Sequence, residues 1–260
     1  MAAMSFAIAL TDEQWELVAD LFDPPGRPGA PAQIPRRAMV EAMLFIARTG
    51  CQWRYLPERY GTWTAVWAQW RRWRANGVWA AAMARLAAIV RLLHDREALP
   101  SMVMVDAQTV KGGRYGPTFH EAGGRGGRTI GTKRTLLVEI LGLPVAARVD
   151  SARPHDVVAA RELLHDRLTD LPRVRAIVGD RAYRGLASLA ERKHLALDVK
   201  APSPGTSGFV PLWPLYKVEH AFAQLGRWRR LSRCYEGSEA SARAWLEVAS
   251  VGYLAWRAAA

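Results

Sequence analysis

The chain has 260 residues, 36 Lys and Arg against 24 Asp and Glu, a formal net charge of +12 and a sequence pI near 10.4. Half of the residues are apolar and 23% are charged, a globular composition that excludes disorder as the main state. Two cysteines, Cys51 and Cys234, build no disulfide framework and supply no CxxC pair for a structural zinc site, which points to a reducing compartment.

Thr11 and Gln14 fit a capping box, and Trp15, Val18, Leu21 and Phe22 form an apolar stripe behind it, so a helix is predicted over 11–22. A Pro/Gly loop over 24–35 leads to a helix over 36–48 that Gly50 would close. Helices over 62–75 and 78–93 complete an all-α N-terminal domain over 1–98, in which Trp63, Trp67 and Trp70 read as a core stripe. After Pro100 the texture changes. Met102 to Val105, Leu136 to Leu141 and Val145 to Val149 are strand signals, the last two separated by the turn Gly142-Leu143-Pro144. A helix over 155–168, a strand over 174–178, a helix over 186–192 and a strand over 195–199 follow, and helices over 214–225 and 238–256 end the series. Three strands able to form a meander, then alternating helix and strand, predict an α/β domain over 99–260 with a mixed sheet flanked by helices. The apolar start MAAMSFAIAL lacks a basic n-region, and Ala244 to Trp256 is interrupted by Glu247 and shorter than the roughly 20 residues that span a bilayer. The expectation is a soluble cytoplasmic protein with no membrane partner.

The charge is uneven, with 12 basic against 9 acidic residues in the first hundred and 24 against 15 afterwards. Lys and Arg that neutralise phosphates release condensed counterions, so this field predicts a polyanionic partner. Composition alone leaves nucleic acid and an acidic membrane surface both open.

Asp106 directly follows the apolar run MVMV, and Asp180 follows AIVG in the same way. A carboxylate at the mouth of a buried strand needs a cation or hydrogen-bond donors. Taken singly, each is equally well a strand-end Asp that caps the next turn, and Arg181 and Arg184 are ready partners for Asp180. A third acid shifts that balance. In the segment from Pro214 to Leu225, Val218, Phe222 and Leu225 form a stripe that must face the sheet, and Glu219 lies about 100° round the helix from Val218, at the border of that face. Three carboxylates brought together repel one another unless divalent cations neutralise them, and oxygen ligands of this kind suit Mg²⁺ or Mn²⁺.

Asp106 within VDAQTV, Asp180 within VGDRAYRG and Glu219 within KVEHAFAQLGRWRRLSRCYE resemble the three catalytic segments of a DDE transposase of insertion sequence family five. The stretch from Gly126 to Asp156 is similar to that family's second and third strands, and RTGCQWRYLP and WRRWRANGVW are similar to its helical lead-in, so the resemblance spans nearly the whole chain. It implies an RNase H-like catalytic domain over 99–260 and a helical domain over 1–98 that recognises the element ends. It implies Asp106, Asp180 and Glu219 as the catalytic, metal-binding triad, holding two Mg²⁺ or Mn²⁺ ions that support the attacking and leaving oxygens of an in-line displacement at phosphorus. The implied reaction is cleavage at terminal inverted repeats and joining of the 3′-hydroxyl ends to target DNA, with double-stranded DNA as partner and a homodimer or larger assembly when two ends are synapsed. Relatives often carry Arg four residues before the Glu and Lys seven after it; here those positions are Leu215 and Gly226, with Lys217 and Arg227 nearby as substitutes.

The basic residues fit that reading. Lys111, Arg114, Arg125, Arg128, Lys133 and Arg134 fall in a glycine-rich stretch whose backbone is able to approach phosphates closely. Arg227, Arg229, Arg230 and Arg233 follow Glu219, and Arg71, Arg72 and Arg74 are placed to set their helix in a major groove. The His155-Asp156 pair reads as a turn and helix cap. A non-catalytic DNA-binding protein from a decayed or domesticated element would lack or displace one of the three acids, and none is missing. A two-carboxylate sugar hydrolase would not need a net charge of +12.

Overall fold

The computed structural model describes residues 9–26, 33–113, 121–122, 129–202 and 212–259. Its helices are α1 Asp12–Glu16, α2 Ala19–Phe22, α3 Arg36–Thr49, α4 Trp63–Ala75, α5 Val78–Leu93, α6 Asp156–Arg167, α7 Ala187–Arg192, α8 Tyr216–Gly226 and α9 Glu239–Ala258. Its strands are β1 Met102–Lys111, β2 Glu121–Ala122, β3 Thr129–Val138, β4 Pro144–Ser151, β5 Ala176–Gly179 and β6 Ala196–Val199.

The capping box at Thr11 and Gln14 is formed in both directions, but the helix it starts is broken. Val18, with φ −135° and ψ −2°, interrupts it between α1 and α2. The break lets Phe22 bury itself against Trp73 and Trp79, with ring centroids 4.9 and 4.8 Å away. Gly50 closes α3 in the left-handed conformation at φ 72°, its amide donating to the Ile46 carbonyl, as the sequence leads one to expect. On α4 the buried side chains are Val66, Gln69, Trp70 and Trp73, while Trp67 is exposed, so the tryptophan stripe is only partly core.

The sheet runs β4-β3-β1-β5-β6, with β1, β3 and β4 antiparallel and β5 and β6 parallel to β1; the short β2 pairs with the start of β3. A meander followed by two parallel strands, with helices on both faces, is the RNase H-like arrangement. β1 and β3 are longer than their apolar runs. Polar residues from Asp106 to Thr109 stay in β1 because β3 pairs with them residue by residue, and pairing overrides local composition. β3 stops at Val138, earlier than its apolar run, because Glu139 turns inward to bind Arg91 of α5 and to accept from the Leu141 and Leu143 amides.

Alternation along the strands sorts the two faces. Lys133, Thr135, Arg148 and Asp150 share one face with Ala107 and Thr109. There α6 packs, through Lys133 to Asp156 and Arg148 to Asp166. Asp106, Leu136 and Arg134 share the other face, which α8 and the turn after it cover, Arg134 donating to the Leu231 carbonyl. The C-terminal helix α9 packs on β4 and also on α3, α4 and α5, so buried residues of the helical segment and of the sheet form one continuous cluster. Trp53, Trp70 and Trp245 meet at that junction, with centroids 5.3–5.8 Å apart. No single described helix is long and apolar enough to cross a membrane.

Two stability effects follow from α9. A Cβ on Gly252 would run into the ring of buried Trp228 and lie 3.0 Å from Leu44. Gly252→Ala is therefore expected to destabilise by about 1–3 kcal/mol despite its better helix propensity, as read by chemical denaturation. Glu247 is 5% exposed and lines a cavity of about 360 Å³ between α5, β4 and α9; burial pushes its carboxyl pKa up to about 7, with Arg243 and Arg167 opposing. Its carboxyl keeps a proton in the folded chain that it loses in the unfolded one, so it costs stability as pH rises from about 4.5 to 7 and by a constant amount above that. Glu247→Gln should match wild type at pH 4 and exceed it at pH 8 by roughly 2 kcal/mol, checked by melting curves across that range.

Candidate active site

Met104↔Val178 is the last pair of the parallel β1–β5 ladder, and Asp106 and Asp180 each follow it by two residues, with the Asp180 charge acting on Asp106. β5 ends at Gly179, so Asp180 leaves the sheet and caps a 3-10 turn over Arg181–Leu186, accepting from the Ala182 amide at 2.8 Å. The turn carries Tyr183 back toward β1, where its hydroxyl donates to Asp106 Oδ1 at 3.4 Å. The capping reading of a strand-end aspartate thus holds for Asp180, whose charge also acts on Asp106.

Burial pushes the Asp106 carboxyl up to about 6; the charges of Asp180 and Asp156 push the same way, while the Ala107 backbone and the Tyr183 hydroxyl oppose. The Tyr183 hydroxyl is also pushed up, first by burial and then by Asp106, Asp156 and Asp180. A carboxylate held in this state is short of positive charge. Mg²⁺ commonly takes one or two carboxylates and completes its shell with waters and substrate phosphate oxygens, so the Asp106 and Asp180 pair fits such an ion.

Glu219 is not brought to the pair. It lies on α8, the helix covering the Asp106 face, but its side chain is exposed, and no described group of three His, Cys, Asp or Glu stands close enough to hold a metal. The physical reason is the seating of α8. Val218, Ala221, Phe222 and Leu225 bury its stripe, and its first turn packs by the β3–β4 turn, with the Lys217 carbonyl 3.8 Å from where a Gly142 Cβ would stand. Asp156, first residue of α6, is paired with Lys133 on the opposite face of the sheet, and only its charge acts on Asp106. Tyr183 was not singled out; its spacing of one 3-10 turn after Asp180 is the signal.

The basic residues divide into two groups. Lys111, Arg229 and Arg233 are exposed, and Arg227, also exposed, bonds Gln224 and accepts from Arg48 on its carbonyl. Arg48, at the end of α3, is a member of this surface that sequence reasoning missed; burial and the Arg227 charge push its pKa down. Arg71 lies over the Trp67 ring at 4.8 Å and Arg72 bonds Gln69, both at exposed positions. The remaining residues are tied inside the protein. Lys133 and Arg134 are each 6% exposed, and burial lowers the Arg134 value to about 10. Arg230 bonds Glu236 and lies over Trp245, Arg74 bonds Ser241 of α9 and lies over Trp70, and Lys217 lies over Trp213 and Tyr216. Arg114, Arg125 and Arg128 lie outside the described residues.

Residues 10–83 match the family described as "Putative transposase of IS4/5 family", and residues 97–197 match the family "Transposase DDE domain". The "Insertion element IS402 uncharacterized 16.2 kDa protein" of Burkholderia cepacia is 38% identical over 76 residues, 27% of this chain and 52% of that protein. The "Uncharacterized protein y4sN" of Sinorhizobium fredii is 36% identical over 120 residues, 46% of this chain and 87% of that protein. The chain therefore spans about half the length of the first relative and most of the second. No solved structure matches. With its helical segment and its sheet matched in turn by these two families, the chain belongs to the IS4/5 family of transposases and carries their DDE domain.

Proposed function

We propose that this transposase binds the terminal inverted repeats of its own insertion element, cleaves the phosphodiester bonds there and joins the 3′-hydroxyl ends to target DNA, acting as a homodimer or larger assembly when two ends are paired. The observation that supports this reading is that Asp106 and Asp180 each follow the last β1–β5 pair by two residues, the Tyr183 hydroxyl of the turn after Asp180 donating to Asp106. Asp106 and Asp180 are assigned as the ligands of two Mg²⁺ or Mn²⁺ ions, with Glu219, which stands apart from the pair on the helix over the Asp106 face, as the third only once DNA and metal bring that helix closer. Bound there, divalent cations would supply Lewis-acid support to the attacking and leaving oxygens of an in-line displacement. Tyr183 fixes the orientation of the Asp106 carboxylate.

The exposed cations hold the DNA. Lys111, Arg227, Arg229 and Arg233 lie on the strand and turns that flank the acids, and Arg48 extends that surface onto the helical segment. The segment over 1–98 is assigned to end recognition, with Arg71 and Arg72 on the exposed side of α4 as its candidate groove contacts. Arg114, Arg125 and Arg128 belong to the same assignment by sequence position. Binding to a duplex carrying the element ends should weaken steeply with salt, by about 10³-fold between 50 and 200 mM if six or more phosphates are neutralised. Fluorescence anisotropy across that range tests it, and a salt-independent affinity would rule out phosphate contacts as its source.

A further inference from the structure

Glu247 of α9 lies in a cavity to which the catalytic assignment gives no role. The cavity is bounded by α5, α9 and β4, by Leu99 and Pro100 just before β1, and by Leu171 before β5. It therefore sits at the starting ends of β1 and β5, whereas Asp106 and Asp180 follow the last β1–β5 pair. Of its lining residues only Arg167, Asp170 and Glu247 are polar. Ala81 and Ala84 line it and are exposed, so it opens to solvent along α5.

Two polar features inside it lack partners. Glu247 accepts no hydrogen bond from a described residue: Arg243 Nε stands 3.5 Å from Oε1 without forming one, and the Arg243 side chain is 43% exposed. A carboxylate buried to this degree needs a cation or hydrogen-bond donors. The second feature is the edge of β4. Side chains alternate along a strand, so three consecutive lining residues, Val145, Ala146 and Ala147, turn the strand's edge rather than one face to the cavity. All three are buried, yet on that side β4 has no partner strand among the described residues. Buried main-chain carbonyls require donors. Water alone would face mostly apolar walls that give it few partners.

We propose that this cavity binds a small apolar amine, its ammonium held between the Glu247 carboxylate and main-chain carbonyls of the β4 edge and its hydrocarbon body against the alanines of α5. An ammonium carries three donors and no acceptor, which matches a carboxylate beside carbonyls, and it brings the counter-charge that the buried acid lacks. At about 360 Å³ the cavity is at the small end of ligand sites, so the hydrocarbon has the size of a phenylethyl group. The occupant bridges the helical segment and the sheet, and binding only the folded chain it raises stability. The site is independent of the catalytic assignment, and either fails without the other.

Phenethylamine, the neutral phenethyl alcohol and the anionic hydrocinnamate are titrated into the full-length protein at pH 8, where Glu247 is ionised, and followed by calorimetry and by the rise in Tm. The amine should bind at millimolar concentration or below, the alcohol about tenfold more weakly and the acid not at all, the order expected when a carboxylate reads the head group. Glu247→Gln, expected to be at least as stable as wild type, should bind the amine about tenfold more weakly and the alcohol as before. Ala88→Leu, which fills the cavity, should lose both. The wild-type comparison needs no variant, so it decides the question even if Ala88→Leu fails to fold. Equal affinity for amine and alcohol, an amine affinity unchanged in Glu247→Gln, or no amine binding at millimolar concentration would each overturn the inference.

Discussion

Replacing Asp106 or Asp180 by Asn is expected to lower cleavage of the element ends by at least about 10³-fold, a loss of roughly 4 kcal/mol of transition-state stabilisation, while DNA affinity stays close to wild type. In the proposed scheme affinity is held by cations spread over several elements, whereas the chemistry depends on the metal-binding carboxylates. The same substitution at Asp106 should make the metal-free protein more stable. Its carboxyl is held at about 6 in the folded chain, above its ordinary value of 3.8, so the ionised group costs stability once pH passes through that interval. Asp106→Asn should thus melt with wild type at pH 3.5 and above it at pH 8, by roughly 1–2 kcal/mol. Lost turnover combined with gained stability is the mark of a side chain kept for chemistry. A variant that loses both would make Asp106 a structural residue.

The second large effect lies away from the acids. Glu139 is fully buried at the end of β3, Arg91 is 5% exposed on α5, and the two form an ion pair across the junction of helical segment and sheet. Each is further held. Arg91 donates to the Glu97 carbonyl at 2.8 Å, and Glu139 accepts from Leu141 at 2.7 Å and Leu143 at 3.2 Å. Breaking a buried pair strands a charge in a low dielectric, so Glu139→Ala or Arg91→Ala should each cost about 3–5 kcal/mol. For a chain of this size that corresponds to a fall of roughly 10 °C in Tm. The double variant Arg91→Met with Glu139→Leu should lose less than the sum of the singles, because no charge is left unpaired. Calorimetry on the three variants measures this, and a single-variant loss below about 1 kcal/mol would show that water reaches the pair.

How far the sequence discloses this site depends on the kind of signal each residue gives. Asp106 and Asp180 are legible because each follows an apolar run, and the two runs pair as parallel strands up to Met104 and Val178. Helices α3, α4 and α5 are legible from their periodicity and from the turn at Gly50. The length of β1 is not, since Gln108 and Thr109 are held in the strand by pairing with Arg134 and Lys133 rather than by their own preference. Lys133 and Arg134 read as phosphate-contacting cations in a glycine-rich stretch, yet pairing with β1 on one side and β4 on the other makes β3 an interior strand and buries them both. Glu219 shows the limit of helical periodicity. A position 100° from Val218 borders the buried stripe, but whether it reaches Asp106 depends on how far α8 is slid along the sheet, which no spacing encodes.

The central claim is that Asp106 and Asp180 form the catalytic centre of a transposase acting on its own element's ends. The most direct test incubates a duplex carrying the inverted repeats that flank the gene with wild type and with Asp106→Asn, in Mg²⁺ and in EDTA, and maps the cut strands at nucleotide resolution. The account predicts cuts at the repeat termini that need both Mg²⁺ and Asp106. Equal cutting by Asp106→Asn would contradict it, as would binding of the ends by the wild type with no cut in Mg²⁺ or Mn²⁺.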